Sequence, residues 1–512
     1  MNKIKQFYPL IAITLAGLLL RVYGLTSISL WHDEAFSALL IRYSWREMFT
    51  RIALDVHPPL YYILLRFWYY LFGDSLFSLR GFSVACGVGA IILGYYLVQK
   101  YFASRTAAIL SALFLATNFF LIQGVGSEAR MYTLGVLLAL AAAGSLMEAL
   151  RSPENSKKTW AWYIAFGVFS AAMVYTHYYL AFTVIALGIY ALVYELKNNG
   201  LQWRRYLPFL SSIILAGVLF LPWLKTFLFQ LRQVQGGYWI PPLDRWSIPS
   251  TFWDITLGVH SDKVPNELLW VLITVFSAML FFSALRRIKF PEKWLLIMSV
   301  LAPFAGAIAF FIISRLQGSA SSVFLVRYFA FAGVFYALIL GLWLATWRSR
   351  KAAWVIAVIV VGINLFALAN FWQTMDAPHK PGMAGASAYL DQYAKPSDKV
   401  IVASSFEFFN FKYYLSRYHN TVITPKLYSG GQTEVESLPH YAGTALLTTA
   451  DLEPDFKTAA QPEQTAWILW TNAFGAQPPM VPTNWTKIME HGYQDGRPYL
   501  GTTIYVTEYK VN

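Results

Sequence analysis

Long apolar runs, not alternation, dominate most of the chain. A bilayer-spanning helix takes roughly 17 to 25 mostly apolar residues, and on that measure the sequence predicts about eleven spans. They fall near 7–22, 77–98, 107–122, 132–149, 160–175, 179–194, 206–224, 268–285, 294–313, 328–347 and 354–372. Between the first two, 35–48 and 60–72 carry apolar and aromatic residues at near-helical spacing mixed with Arg42, Arg46 and Arg66. That mixture predicts helices lying in the membrane interface. From about residue 380 the pattern shortens: 400–403, 421–424, 465–470 and 502–507 read as strands, with a helix over 407–416. The expected fold is therefore a mainly α, polytopic membrane protein with a small C-terminal α/β extracytoplasmic domain. The expected division is a membrane domain over 1–379 and the smaller domain over 380–512. Neither an internal repeat nor a low-complexity segment interrupts this pattern.

Composition agrees. With 57% hydrophobic and only 13% charged residues, the 512-residue chain is too apolar for one soluble globule. The net charge of +13 does not imply nucleic acid, because the basic residues sit in short clusters between apolar runs. Lys100 with Arg105, Arg151 with Lys157 and Lys158, Lys197 with Arg204 and Arg205, Arg286 to Lys293, and Arg348 to Lys351 mark alternate connections. By the positive-inside rule these face the cytoplasm. The N-terminus is then inside, and 27–76 and everything after Trp372 lie outside a multi-pass plasma (inner) membrane protein. The first run lacks a small-x-small cleavage pattern and reads as an uncleaved span. Cys86 is the one cysteine, which rules out an internal disulfide framework and a Cys-based metal site.

The candidate chemistry gathers on that outer side. Asp33 and Glu34 follow the first span; a carboxylate there is either a cap on a helix beginning at Ala35 or a general base for an acceptor hydroxyl. His57 precedes Pro58 and Pro59, a helix-start pattern that also suits a histidine binding a phosphate oxygen or a metal. Glu128 and Arg130 open the fourth span as a surface ion pair or as groups holding a metal, an acceptor or a phosphate. His177 occupies a tight outer turn, as interfacial filler or as an acceptor or metal candidate. Outer-side cations run against the orientation rule: Arg80, Lys225, Arg232, Arg245, Arg315 and Arg327. Most are expected to snorkel to headgroups. Arg327 is the first choice for a phosphate clamp, because guanidinium pairs bidentately with phosphate oxygens, and Lys225 and Arg130 follow.

Taken together these positions resemble the GT-C class of membrane glycosyltransferases, specifically the group holding the protein O-mannosyltransferases and the bacterial aminoarabinose transferase of lipid A (family 39/83-like). The resemblance covers roughly 7–372. It rests on Asp33-Glu34, on His57-Pro58-Pro59-Leu60-Tyr61-Tyr62 with the aromatic helix ending at Gly73, on Arg80, on Ser127 to Tyr132 and on Arg327-Tyr328. It implies a polyprenyl-phosphate sugar donor, a site at the outer membrane surface, inversion at the anomeric carbon and Asp33 as the base. The acceptor (lipid, glycan or protein) stays open, as does a divalent metal. The eukaryotic members carry a large soluble insertion that this chain lacks, which points to a bacterial enzyme, where the Asn484-Trp485-Thr486 sequon has no consequence. Two other classes compete: a transporter or lipid flippase, which would place charges mid-membrane and show repeated halves, and a non-catalytic scaffold of the same fold.

A reporter enzyme fused after Trp372 is expected to be active only outside the cytoplasm; activity confined to the cytoplasm would reverse the orientation.

Overall fold

The computed structural model describes residues 7–153, 156–200, 203–236, 239–258, 265–318, 321–375, 381–418, 423–496 and 502–512. Helices come first: α1 (Tyr8–Val22), α2 (His32–Leu40), α3 (Trp45–Leu54), α4 (Leu60–Phe72), α5 (Leu76–Tyr101), α6 (Arg105–Thr117), α7 (Tyr132–Arg151), α8 (Lys157–Thr176) and α9 (Leu180–Asn199). They continue as α10 (Trp203–Gly236), α11 (Ser247–Thr256), α12 (Asn266–Arg287), α13 (Lys293–Leu316), α14 (Ala330–Ala345), α15 (Arg350–Met375) and α16 (Gly382–Tyr393). After these come β1 (Lys399–Val402), α17 (Ser405–Leu415), β2 (Lys426–Tyr428), β3 (Leu452–Glu453), α18 (Phe456–Ala459), β4 (Thr465–Thr471), β5 (Trp485–Gln494) and β6 (Thr503–Val511).

Among the described residues, eight helices are long and apolar enough to cross a membrane: α5, α7, α9, α10, α12, α13, α14 with the turn before it, and α15. This is a multi-pass membrane protein. Each expected span contains a helix, but α1 and α6 are shorter than a full crossing, at 15 and 13 residues, and α8 is not among the eight. Helix α10 runs well past the expected end at 224, to Gly236.

Two compact units emerge. The first comprises Met1–Tyr23, Val56–Leu64 and Arg80–Leu368; the second comprises Gly24–Asp55, Leu65–Leu79 and Ala369–Asn512. In the first, α7 and α14 are the most enclosed spans, and Phe329, Phe331 and Phe335 are fully buried along the latter. Basic connections there are partly paired: Lys100 with Glu148, and Arg151 with Glu292 at 2.5 Å.

The third expected span, 107–122, is not continuous. Helix α6 stops at Thr117, Asn118 takes extended backbone, and a π-helical turn, Phe120–Gly124, follows. Backbone groups freed inside an apolar interior must find new partners. Arg21 of α1 donates to the Ala116 and Leu115 carbonyls at 3.1 and 2.9 Å, closing the open end of α6. On the other side of the break, Asn364 of α15 accepts the Phe119 N–H at 2.8 Å, while the Asn118 side chain accepts the Leu121 N–H at 2.9 Å and donates to the Ile255 carbonyl at 3.0 Å.

In the second unit, a six-stranded sheet runs in the order β3-β2-β1-β4-β6-β5. The first four are parallel neighbours; β6 is antiparallel to both β4 and β5. Its core on one side gathers Ile401, Phe456, Ile468, Trp470, Trp485 and Val511. The strands at 400–403, 465–470 and 502–507 and the helix at 407–416 are found close to their expected places. Of the strand expected at 421–424, residues 421–422 lie outside the described residues and 423–424 form none; the strand sits instead at 426–428. There the Leu427 side chain is buried and its backbone pairs with β1.

Replacing Asn364 with leucine leaves the Phe119 N–H without its partner, an expected cost of about 1 to 3 kcal/mol. The check is the thermal midpoint in detergent, with Val360→Leu on the same helix as a volume control.

Candidate active site

The segment after the break delivers the first charged residues. The Ser83 hydroxyl on α5 bonds the Glu128 carbonyl at 2.6 Å and the Arg130 carbonyl at 3.2 Å, which fixes the turn from Val125 to Met131. Gly126 is required in it, since a Cβ there would lie 2.9 Å from the Ile122 carbonyl oxygen. Glu128 Oε2 faces Arg327 Nη1 at 3.6 Å. Arg327 sits in a 3-10 turn, Val326–Phe329, just before α14, and its guanidinium lies 6.0 Å from the centre of the Tyr132 ring.

Arg130 is buried, and its Nη2 donates to His57 Nε2 at 3.1 Å. Guanidinium can only donate, so that histidine nitrogen accepts and a neutral His57 ring carries its proton on Nδ1. Pro58 and Pro59 immediately precede α4, and the Gln230 amide reaches the His57 carbonyl at 3.5 Å. His177, between α8 and α9, has Nδ1 accepting the Tyr179 N–H at 3.2 Å. Burial above all, and then His57 and Arg130, hold its pKa well below the usual histidine range. Its ring meets that of Tyr328 edge-on at 4.6 Å and lies 6.2 Å from His57. A cavity of about 90 Å³ opens here, lined by His57, Pro58, His177, Tyr178, Tyr179 and Tyr328 together with three valines.

The first unit thus brings together His57, Glu128, Arg130, His177 and Arg327. Two guanidinium groups, Arg130 and Arg327, and the Glu128 carboxylate are brought to one place. Lys225 is exposed on α10 and is not drawn into the cluster. His57 Nε2 and His177 Nδ1 each accept a hydrogen bond, and among the described residues no three His, Cys, Asp or Glu side chains converge. Sequence reading passed over Ser83, Gln230 and the aromatic role of Tyr132 and Tyr328. The last two stand inside quoted motifs, but a serine and a glutamine on apolar helices carry no signal of their own.

Asp33 and Glu34 belong to the second unit. Helix α2 begins at His32 rather than Ala35, and its N-cap, Trp31, offers no side-chain cap. The expected cap role of Asp33 is thereby corrected: both acids lie in the first turn, where the helix dipole favours negative charge. Glu34 is completely buried, whereas Asp33 is only partly so. Asp33 is the acid that solvent reaches.

Residues 56–225 match the family model described as dolichyl-phosphate-mannose-protein mannosyltransferase. The structure matches the ArnT protein of Cupriavidus metallidurans bound to undecaprenyl phosphate, with a TM-score of 0.61, 12% identity and 97% of each chain covered. The same protein in its apo state matches with a TM-score of 0.60, 14% identity and 97% of each chain. The chain has the GT-C glycosyltransferase fold. Comparison with curated protein sequences gives no match. Within this GT-C fold, 57, 128 and 130 fall inside the stretch that the family model matches, and Arg327 falls beyond it.

Because Arg327 is opposed by Glu128, removing the arginine also releases a carboxylate. If Arg327 is the phosphate clamp expected from the sequence, Arg327→Ala weakens binding of a polyprenyl phosphate by roughly 10- to 100-fold, the range for a lost bond to a charged group. Arg327→Lys should fall between it and wild type, and Glu128→Gln added to Arg327→Ala should restore part of the loss. Titration in detergent checks the set; unchanged binding in Arg327→Ala moves the phosphate to Arg130 or Lys225.

Proposed function

We propose that the protein is an integral-membrane glycosyltransferase that moves a sugar from a polyprenyl-phosphate donor to an acceptor hydroxyl at the outer face of the membrane. The observation that carries this reading is the convergence of Arg130, Arg327 and Glu128 with His57 and His177, the two histidines lining an aromatic cavity. An activated sugar outside the cytoplasm needs a lipid phosphate as its carrier, and its departure leaves negative charge on that phosphate. Two further findings support the reading: the ArnT structure of the same fold holds undecaprenyl phosphate, and the family model over 56–225 carries a dolichyl-phosphate sugar transferase in its description.

In the proposed reaction the Asp33 carboxylate accepts the proton of the acceptor hydroxyl. The freed oxygen forms a bond to the anomeric carbon from the face opposite the phosphate. The bond from that carbon to the phosphate oxygen breaks, its electron pair stays on the phosphate, and the sugar is inverted. Arg327 and Arg130 stabilise the developing charge, which is worth most in a site shielded from water. His177, whose pKa burial holds well below the usual histidine range, serves as a neutral polar wall, and His57 accepts from Arg130. The acceptor is a lipid, a glycan or a protein, and membrane lipid surrounds the donor tail.

Transfer from a polyprenyl-phosphate sugar by purified protein is the test, with Asp33 as its sharpest probe. Asp33→Asn is expected to lose about 100- to 10,000-fold in turnover while keeping its thermal midpoint. Glu34→Gln, at a buried site, should instead lower that midpoint. Near-normal turnover in Asp33→Asn removes Asp33 as the base.

A further inference from the structure

Helix α2 is only nine residues long, and no side chain caps its start. Helices this short are marginal in water, so the direction in which α2 presents Asp33 has to come from what it packs on. Within the second unit that support is the first part of the sheet domain. Tyr414 on α17 accepts the Leu30 N–H at 2.9 Å, just ahead of the first turn of α2. The His32 ring, adjacent to Asp33, lies 5.3 Å from Phe406 and 5.4 Å from Phe409, both on α17. One turn on, Phe36 meets Phe409 edge-on at 6.1 Å.

The approach to the helix is pinned as well. The Ser29 hydroxyl donates to the Pro381 carbonyl at 2.9 Å and accepts the Ala384 N–H at 3.2 Å. Gly382, with φ of +53°, lets the chain pass so close that a Cβ would stand 3.3 Å from that hydroxyl. At the far end Arg42 bonds Ser416 at 2.9 Å and Asp74 at 2.5 Å, and the Tyr413 hydroxyl donates to the Asp74 carbonyl at 2.8 Å. Both ends of the segment carrying Asp33 are thus set by α16, α17 and the residues that follow them.

We propose that the C-terminal sheet domain is the mount of the Asp33 helix, with Tyr414 and Phe409 as positioning residues that set the attack geometry of its carboxylate. The proposal rests on the glycosyltransferase reading for its catalytic consequence. Its structural part stands separately. A shift of about 1 Å in a reacting group is enough to cost about 100-fold in rate. Donor binding, assigned to the other unit, is untouched by such a shift.

The test uses the full-length protein in detergent, with Tyr414→Phe and Phe409→Leu set beside Phe456→Leu. Phe456 lies in the sheet core with Ile401, Ile468 and Trp485. Two readouts are taken: steady-state transfer from a polyprenyl-phosphate sugar, and hydrogen exchange over 30–36. Tyr414→Phe and Phe409→Leu are expected to lower kcat by about 10- to 100-fold with donor KM and the shape of the pH profile unchanged, and to raise exchange over 30–36. Phe456→Leu is expected to lower the thermal midpoint while leaving kcat below that midpoint and exchange over 30–36 as in wild type. The proposal is overturned if kcat and exchange in the two α17 variants match wild type, or if Phe456→Leu reproduces their kcat loss. A wild-type protein without transfer activity refutes the glycosyltransferase reading instead; exchange then decides the mount alone, and unchanged protection over 30–36 in Tyr414→Phe sinks it.

Discussion

The break after α6 is the constraint on which the first unit is built. An apolar interior supplies no water for carbonyls and amides released from a helix, so each must be met by a side chain brought from elsewhere. Arg21 from α1, Asn118 from the break itself and Asn364 from α15 meet them, and the first and last are far apart in sequence. The chain gains a backbone that leaves helical geometry at one depth and re-enters it at Tyr132. Glu128 and Arg130 sit in the interval, and an unbroken helix through 107–132 would have no turn on which to present them.

What the turn presents is a set of paired charges. Burying a guanidinium is costly unless it is paired. Arg130 has the His57 nitrogen and Arg327 has the Glu128 carboxylate. The 3.6 Å between Arg327 and Glu128 is long for an ion pair at full strength. Around them Tyr132, Tyr328 and His177 give apolar faces and no charge.

The second unit solves a different problem. Its strands are short, and a parallel array such as β3-β2-β1-β4 needs coverage on both faces. Helices α16 and α17 provide some of that cover, and α17 in turn meets α2 from the other end of the sequence. The outer-loop helices and the sheet domain are therefore a single folding problem, although the stretch of sequence between them is mostly membrane-spanning.

Sequence alone determined the class of molecule. Apolar run length marks where helices cross, because a bilayer has one thickness, and eight of the expected spans are helices long and apolar enough to do so among the described residues. Strands with strong β-branched and aromatic content, at 400–403, 465–470 and 502–507, were legible for the same reason: their side chains face a core. β5 was not, since nearly all its residues are exposed and its order comes from pairing with β6. β2 and β3, at three and two residues, are too short to hold a period. At the candidate site the charged residues were legible as types out of place, positive or acidic groups at outer span ends. Their pairings were not. That Arg130 turns to His57, that Arg327 shares Glu128, that Lys225 stays apart and that Glu34 is fully buried while Asp33 is only partly so are outcomes of packing between elements distant in sequence. Local sequence constrains a residue's own backbone; which neighbour shares its charge or covers it is decided only when the tertiary structure closes.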